Sequence, residues 1–295
     1  MKIAILDDYQ DAVRGLDCFK LLDGHEVKVF SNTARGLGQL AIRLAPFDAL
    51  VLIRERSSFN RALLSKLPNL KLMSQTGKVS GHIDVAAATE LGIAIAEGIG
   101  SPTAPAELTW ALIMAAQRKI VPYAQHLQEG LWQTSSIEPA RNTLGTVLKG
   151  RTLAIWGYGK IGQLIAGYGR AFGMTILVWG SEASRAAAVA AGDTAATSRE
   201  AFFEQADVLT LHLRLSATTR GLVTADDLAR MYSPSNSGVS RSGSMLMKIT
   251  CSLSASGPSF WRISSARDRA VGHTSGHCVK PKKTITYLPL KSARV

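Results

Sequence analysis

The chain contains 295 residues, 46% of them hydrophobic, and carries a net charge of +12. This length is enough for two domains with their own cores, and no apolar stretch reaches the roughly eighteen residues of a membrane span, so no membrane partner is expected. Cys18, Cys251 and Cys278 lie far apart and form no CxxC pair, which argues against a disulfide framework and a metal site. The N-terminal sequence MKIAILDDYQ is not typical of a signal peptide, so we expect a cytoplasmic protein.

The positive charge is concentrated at the end of the chain. From Tyr232 onward there are ten lysines and arginines and one acid, Asp268, so this segment carries +9 of the +12 and residues 1–231 carry only +3. Side chains in this segment could neutralise nucleic-acid phosphates, foremost Lys280, Lys282 and Lys283. Charged chain ends are more often solvated, so we expect no nucleic-acid partner, although that alternative stays open.

Residues 1–100 alternate short apolar, β-rich runs with helical patterns, which indicates a parallel sheet covered on both faces. A helix is predicted at Arg61–Lys66, before Pro68, and another at Val85–Glu90. The predicted strands are Lys2–Leu6, Glu26–Phe30, Ala49–Ile53, Leu70–Gln75 and Ala94–Glu97. We interpret residues 1–100 as the first domain.

The segment QTGKVSGHID, residues 75–84, follows the fourth predicted strand. Ligands of such sheets bind beyond the carboxyl ends of the strands. Gly77 and Gly81 free the backbone to form an anion-binding nest, and Lys78 could add positive charge. The alternative is an ordinary strand-to-helix loop in which Asp84 caps the following helix.

The sequence SPTAP at 101–105 predicts a domain boundary. The mostly apolar helix predicted at Ala106–Lys119 is long enough to be buried between two domains, with Trp110 and Met114 as core residues. We expect a second, dinucleotide-binding domain over residues 101–231.

The most informative stretch is residues 153–182. A buried strand predicted at Leu153–Trp156 leads into Gly157-Tyr158-Gly159-Lys160-Ile161-Gly162, a helical pattern follows, and a second strand is predicted at Thr175–Trp179. In this context the first glycine permits a tight turn, the second permits close approach of a pyrophosphate, and the third permits close packing of helix on strand. The free N–H groups at the helix start would bind the phosphates.

The position of the ribose-binding acid leaves the choice of coenzyme open. An Asp or Glu is expected at the end of the second strand, but Gly180 stands there and Glu182 comes two residues later. Ser181 and Arg185 could instead face a 2′-phosphate. We favour NAD, with Glu182 as a weak substitute, and do not exclude NADP.

Three further elements are predicted between residues 183 and 231. A helix is predicted at Ala183–Ala191, a buried strand at Ala206–Leu213 and another helix at Thr219–Met231. The segment Leu213-Arg214-Leu215-Ser216 should lie beside the glycine turn and could line the adenine pocket. His212 is interpreted as a structural residue of the strand rather than a catalyst.

These residues resemble the D-isomer-specific 2-hydroxyacid dehydrogenases. The similarity includes GKVSGHID at 77–84, AEL at 106–108, WGYGKIG at 156–162 and LHLRLSATTRGLV at 211–223, and it covers residues 1–231. The resemblance implies a flavodoxin-like substrate domain and a Rossmann nucleotide domain, both doubly wound α/β, with the active site between them. It also implies hydride transfer between nicotinamide and C2 of a 2-hydroxy or 2-keto acid, and a homodimer.

The resemblance assigns site residues on both sides of that cleft. It implies that Gly77, Lys78 and Val79 lie by the substrate carboxylate and the nicotinamide. On the coenzyme side it places Lys160 and Ile161 at the pyrophosphate, Gly180 at the ribose, and Leu213 and Arg214 near the adenosine half. With the residues of the glycine motif and Ser181, the predicted coenzyme site comprises Gly157, Tyr158, Gly159, Lys160, Ile161, Gly162, Gly180, Ser181, Leu213 and Arg214.

Residues 232–295 depart from the family. The resemblance implies an Arg for the carboxylate and a Glu-assisted His as proton donor after Met231, but this segment is basic, serine-rich and contains no Glu. Arg241, His273 and His277 lack the family context, so no catalytic residue is assigned. We interpret the segment as a poorly ordered, out-of-frame or aberrant ending that leaves the nucleotide domain incomplete and activity doubtful. A non-catalytic, corepressor-like dinucleotide-binding protein is the alternative.

Overall fold

The computed structural model describes residues 1–34, 36–131, 144–216 and 218–231. They form two parallel β-sheets with helices packed against them, which confirms the predicted α/β class. The interpretation of residues 232–295 falls outside the described residues.

The first sheet has five parallel strands in the order β2-β1-β3-β4-β5. This is the flavodoxin-type order, in which the chain reverses direction across the sheet between β1 and β3. The register places Ile3 beside Val27 on one neighbour and beside Ala49 on the other. The strands are β1 (Lys2–Leu6), β2 (Glu26–Val29), β3 (Ala49–Leu52), β4 (Leu72–Gln75) and β5 (Ala94–Glu97).

Short helices connect these strands, and their apolar sides form one core with the sheet. Phe59, Leu50 and Met73 are fully buried at its centre. Each helix start with a side-chain cap satisfies a free backbone N–H, as Asp84 does for Ala87. The helices are α1 (Leu37–Leu44), α2 (Arg61–Leu64) and α3 (Val85–Glu90), with two short 3-10 helices at Val13–Gly15 and Asp17–Leu22.

The second sheet has four described strands in the order β8-β7-β6-β9, all parallel. In sequence order this is 3-2-1-4, the first four positions of the 3-2-1-4-5-6 order of dinucleotide-binding sheets. The strands are β6 (Thr152–Trp156), β7 (Thr175–Trp179), β8 (Thr194–Ala195) and β9 (Val208–Leu211).

Alternating side chains of β6 enter two different cores because successive residues of a strand point to opposite faces. Leu153 and Ile155 pack with one set of helices, whereas Ala154 and Trp156 pack on the other face, where Phe202 and Phe203 meet the Trp156 ring edge-on. The helices are α4 (Thr103–Gln117), α5 (Ile120–Gln128), α6 (Lys160–Ala171), α7 (Glu182–Ala190), α8 (Arg199–Glu204) and α9 (Ala225–Arg230).

Helix α4 corrects one prediction. It begins at Thr103, inside the supposed breaker cluster, because a proline is tolerated in the first turn of a helix. It ends at Gln117, and Lys119 adopts a left-handed backbone with φ of +55° before α5 begins. The buried residues Ala106 and Ile113 belong to the core of the second sheet, so α4 is part of that core rather than a layer between domains. Trp110 packs against Tyr168 and Phe172, as its core assignment predicted.

Two other elements, the last described strand and the last described helix, are also shorter than predicted. The last strand ends at Leu211 because its pairing with β6 runs only from Leu153 to Trp156. The last helix begins at Ala225 rather than Thr219, since Gly221 has a φ of +69° and Thr224 caps the helix. Among residues of the described ranges, no helix is long and apolar enough to cross a membrane.

Candidate coenzyme and substrate site

The glycine turn, residues 157–162, joins β6 to α6 with very close backbone packing. A Cβ on Gly162 would lie 2.2 Å from the Gly157 carbonyl oxygen, and a Cβ on Gly157 would lie 2.8 Å from the carbonyl oxygen of His212. Gly157 has a φ of +102°, which side chains rarely allow. Gly159 instead faces open space, and Lys160 beside it is exposed. The turn is therefore closed towards the sheet and open at the start of α6, where the free N–H groups of a twelve-residue helix lie.

The side chain of Tyr158 points into the protein rather than towards the open face. Its hydroxyl donates to Asp193 Oδ2 at 2.5 Å, and Arg170 donates to both oxygens of the same carboxylate at 2.6 and 2.7 Å. Burial, and then the Asp193 carboxylate, raise the pKa of Tyr158, so its hydroxyl stays protonated. Only the backbone of Tyr158 remains available to a coenzyme, and sequence reasoning missed Asp193 because it lies 35 residues away.

The end of β7 carries no acid at the expected ribose position. Gly180 has a φ of +153° and a Cβ there would lie 3.8 Å from Gly157 N. Ser181 caps α7 by accepting from Ser184 N, and Glu182 is exposed in the first turn. The Arg185 guanidinium lies over the Trp179 ring at 5.0 Å, and its buried Nε has no partner among the described residues. Both candidate arrangements, Glu182 for a ribose and Arg185 for a phosphate, therefore lie at the same edge.

The residues after β9 lie against the glycine turn, as the strand order predicted. His212 N donates to Trp156 O at 2.9 Å, and the Leu213 side chain would be 3.2 Å from a Cβ on Gly157. His212 follows the strand rather than belonging to it, and its Nε2 is buried without a partner among the described residues. Burial lowers the pKa of His212 to about 4, which keeps the ring neutral at pH 7. This agrees with a structural role.

The β4–α3 loop, residues 76–84, is held by an acid that sequence reasoning did not single out. Glu97 at the end of β5 accepts from Val79 N at 3.0 Å and forms an ion pair with the Lys78 ammonium group. The Lys78 hydrogen bond, followed by the Val79 hydrogen bond, lowers the pKa of Glu97. The ammonium group of Lys78, which the sequence offered as a partner for a bound anion, is thus already paired with the carboxylate of Glu97.

Arg214 joins the two sheets. Its Nη2 donates to Val79 O at 2.8 Å and to Lys78 O at 3.3 Å, and it lies 3.6 Å from Glu55 Oε1. The guanidinium therefore reaches the β4–α3 loop, while its backbone follows the residues beside the glycine turn. The structure brings the predicted coenzyme and substrate residues together at this point, although the Arg214 side chain is engaged by the first sheet rather than free for adenosine.

His82 completes the loop on its buried side. Its Nε2 lies 3.1 Å from Gln75 Oε1, and Gln75 Nε2 donates to Arg54 O at 3.2 Å. Burial lowers the pKa of His82, so it is neutral and structural at pH 7. Within the described ranges, no group of three or more His, Cys, Asp or Glu side chains could hold a metal ion. Arg241, His273 and His277 lie outside those ranges.

The two sheets and the glycine turn define the class of protein: a two-sheet α/β protein with a dinucleotide-binding turn. Residues 110–235 match the family model of the D-isomer specific 2-hydroxyacid dehydrogenase NAD binding domain. The crystal structure of a phosphoglycerate oxidoreductase from Vibrio cholerae O395 is 56% identical, with a TM-score of 0.74, and the match covers 78% of this chain and 72% of that one. A crystal structure from Ralstonia solanacearum is 60% identical, with a TM-score of 0.74 and coverage of 78% and 70%.

The chain belongs to the D-isomer-specific 2-hydroxyacid dehydrogenase family. A glyoxylate reductase of Aeropyrum pernix is 36% identical over 171 residues, which is 57% of this chain and 51% of that protein. A D-3-phosphoglycerate dehydrogenase of Methanocaldococcus jannaschii is 29% identical over 233 residues, 78% of this chain and 42% of that protein. The match thus spans about half or less of the length of these curated relatives. The match to the NAD binding domain supports NAD as the coenzyme.

Proposed function

We propose that the chain is an NAD-dependent oxidoreductase of the D-2-hydroxyacid dehydrogenase type. Its substrate would be a small 2-hydroxy acid, which loses a hydride from C2 and a proton from its hydroxyl to become the 2-keto acid. NAD, when bound, supplies the hydride acceptor. No side chain among residues 1–231 is assigned here as the proton carrier.

The observation that carries the proposal is the glycine turn. On its closed side, the absence of a Cβ on Gly162 lets the start of α6 pack against the Gly157 carbonyl. On its open side, nothing lies within 4 Å of a Cβ position on Gly159, and the first N–H groups of α6 have no partner within the helix. A diphosphate would accept hydrogen bonds from the N–H groups of Lys160 and Ile161 and interact favourably with the positive end of the helix dipole. Leu213 would line the adenosine side and Gly180, Ser181 and Glu182 the ribose side. NADP would use Ser181 and Arg185 instead.

The β4–α3 loop would hold the acid. Gly77, Lys78 and Val79 lie at the carboxyl end of β4, where Arg214 brings them next to the nucleotide side. Orienting the acid and the nicotinamide in one cleft lowers the barrier by removing the entropy cost of bringing them together. Because the Val79 N–H already donates to Glu97, a substrate carboxylate would compete with that carboxylate.

One observation favours a second candidate, a non-catalytic dinucleotide-binding interaction protein. The glycine turn is complete, whereas the recognisable family sequence ends near Met231 and the match to the family model ends at residue 235. The family's Arg, Glu and His would follow there. A protein of this kind would bind the coenzyme without turnover.

The test is a fluorescence titration with NADH and NADPH, followed by oxidation assays with glycolate, D-lactate, D-glycerate and D-3-phosphoglycerate. The proposal expects saturable NADH binding and oxidation of at least one acid. Binding without turnover would favour the interaction protein. Failure of soluble protein to bind either coenzyme at millimolar concentration would contradict both candidates.

Two further expectations belong to this proposal. A homodimer through the nucleotide-binding part is supported by exposed apolar side chains on α4 and α5, among them Leu108, Ile120 and Leu127. Sedimentation velocity of the full chain would measure the oligomeric state. A cytoplasmic location is the other expectation.

A further inference from the structure

We propose that Arg214 is a positioning residue that couples the coenzyme side of the cleft to the acid side. It would do so by holding the β4–α3 loop against the residues that follow β9. The inference rests on the proposed function for its ligands, but the contacts that carry it are independent of that function.

The backbone around Arg214 is fixed to the glycine turn. His212 N donates to Trp156 O, and the Leu213 side chain lies 3.2 Å from the position that a Cβ on Gly157 would take. Any shift of the glycine turn on binding a coenzyme would therefore displace the segment that carries the guanidinium. Arg214 is the next residue along this segment, so its side chain would transmit the shift.

The guanidinium binds the part of the loop assigned to the acid. The acceptors are the carbonyl oxygens of Lys78 and Val79, at 3.3 and 2.8 Å. The opposite side of the same peptide segment is held by Glu97, which accepts from Val79 N. Val79 is thus held between an acid of its own sheet and an arginine that comes from the other sheet.

Glu55, which follows β3, adds an ion pair to these two hydrogen bonds. Its carboxylate lies 3.6 Å from Arg214 and its side chain is 21% exposed, compared with 53% for the arginine. The two hydrogen bonds and the ion pair all involve Nη2 of Arg214, so one guanidinium nitrogen contacts both the β4–α3 loop and Glu55. Because hydrogen bonds are directional, the contact holds the β4–α3 loop in a defined orientation.

Coupling between the two ligands follows from this geometry. A coenzyme that orders the glycine turn would pre-order Val79 through Arg214, so an acid would bind more tightly afterwards. By linkage the acid must tighten coenzyme binding by the same factor. Without the guanidinium each ligand would bind its own sheet independently.

The first experiment uses no ligand. We expect Arg214→Gln to accelerate amide hydrogen exchange in the peptide 76–83 of the full chain, because the loop loses its contact with the other sheet. The matched control is Arg230→Gln. Arg230 forms an ion pair with Glu204 at 3.4 Å, similar to the 3.6 Å between Arg214 and Glu55, but this pair joins α9 to α8 and does not reach the first sheet. Unchanged exchange in Arg214→Gln would overturn the inference.

The second experiment measures the coupling with NADH and oxamate, an unreactive analogue of a 2-keto acid. In the wild type, saturating oxamate should tighten NADH binding by about fivefold or more. In Arg214→Gln that factor should fall below about twofold, with NADH affinity in the absence of oxamate nearly unchanged. Arg214→Lys and Glu55→Gln should retain part of the coupling, and Arg230→Gln all of it.

The outcomes distinguish failure of the proposed function from failure of the coupling through Arg214. If NADH does not bind the wild type, the proposed function and the coupling both fail. If NADH binds but oxamate acts equally on wild type and Arg214→Gln, the inference alone is overturned. A large loss of NADH affinity in Arg214→Gln without oxamate would show that the arginine contacts the coenzyme directly, which also overturns it.

Discussion

At the scale of single residues, two glycines of α6 have different surroundings. Gly162 has the Gly157 carbonyl where a Cβ would be, whereas Gly167, one turn and a half further on, has nothing within 4 Å. The sequence motif predicted the first requirement from spacing. Only the structure distinguishes Gly162 from Gly167, because spacing contains no information about what lies opposite each glycine.

Substituting Gly162→Ala should therefore impair the turn. A Cβ 2.2 Å from a carbonyl oxygen forces the start of α6 away from β6, and we expect NADH affinity to fall by about tenfold or more, with a loss of about 1–3 kcal/mol in unfolding free energy. Gly167→Ala is the control and should stabilise the helix by about 0.5–1 kcal/mol. Fluorescence titration and urea denaturation would measure both. Equal NADH affinity in the two variants would contradict the role given to Gly162.

Tyr158→Phe should remove the side-chain hydrogen bond that ties the glycine turn to Asp193 without adding a side chain at any of the turn glycines. The variant removes the hydroxyl that donates to the buried Asp193 carboxylate while Arg170 stays bound to it. We expect a loss of about 1.5–3 kcal/mol, the usual contribution of a hydrogen bond to a charged group, measured by urea denaturation. Tyr168→Phe is the control, since its ring packs on Trp110 and would keep that contact. A loss confined to Tyr168→Phe would refute this assignment.

His212 should make the protein less stable in acid. Its pKa in the folded state is about 4, below the value of about 6.5 in an unfolded chain. The unfolded state therefore binds the proton more readily, so the full contribution is present above pH 6.5 and is lost as the pH falls towards 4, by about 3 kcal/mol in total. Unfolding free energies at pH 7 and 4.5 should differ less for His212→Gln than for the wild type. His25→Gln, at an exposed position, should keep the wild-type difference.

At the scale of elements, α9 shows how a short helix is fixed by its ends. Thr224 and Asp227 form a reciprocal capping box, and Arg199 at the start of α8 donates to both oxygens of Asp227 at 3.0 and 2.5 Å. Burial opposes ionisation of Asp227, but the Arg199 and Thr224 hydrogen bonds outweigh it and lower the pKa. A helix of only six residues needs such tertiary contacts, because isolated helices of this length are not stable.

Asp227→Ala should detach α9 from α8. The change leaves Arg199 without its carboxylate and Thr224 N without an acceptor, and we expect a loss of about 2–3 kcal/mol by urea denaturation. Asp226→Ala is the matched control, because Asp226 is exposed in the same first turn and contributes only through the helix dipole, by about 0.3–1 kcal/mol. Similar losses in both variants would argue against the capping account.

Sequence patterns located most strands to within two residues because buried parallel strands are apolar runs bounded by turn residues. They placed helix ends less well. The prediction that the last helix begins at Thr219 was wrong, because it rests on helical periodicity instead of the Thr224-x-x-Asp227 capping pattern, which begins just before Ala225 in the sequence. The site also combines local and non-local features. The spacing of the glycines predicted the turn, whereas Glu97 and Glu55 reach the site only because the fold brings distant parts of the sequence together.

At the scale of the whole molecule, the described part of the second sheet ends at β9, which pairs only with β6 there. A sheet edge left uncovered offers unpaired backbone groups to other chains. The interpretation of residues 232–295 as an aberrant ending therefore predicts low stability and aggregation, as well as missing catalytic groups.

A chimera tests this interpretation. Replacing residues 232–295 by the corresponding segment of the Vibrio cholerae phosphoglycerate oxidoreductase should raise the melting temperature by several degrees, about 2–4 °C for each kcal/mol gained. It should also raise oxidation of 2-hydroxy acids by at least about a hundredfold, as expected when general acid–base groups are restored. Calorimetry and NADH absorbance would measure the two effects. A parent chain that already matches the chimera in rate and melting temperature would refute the interpretation.

The 3-2-1-4 strand order has a consequence for what this chain can recognise. Dinucleotide-binding sheets hold each nucleotide in one of two similar halves, and the described sheet supplies the first half together with one strand of the second. Under the proposed function the adenylate end would find its partners within one sheet. The nicotinamide end would instead depend on a loop from the other sheet. Adenosine diphosphate alone would therefore make nearly all the contacts that the described part of the second sheet can provide.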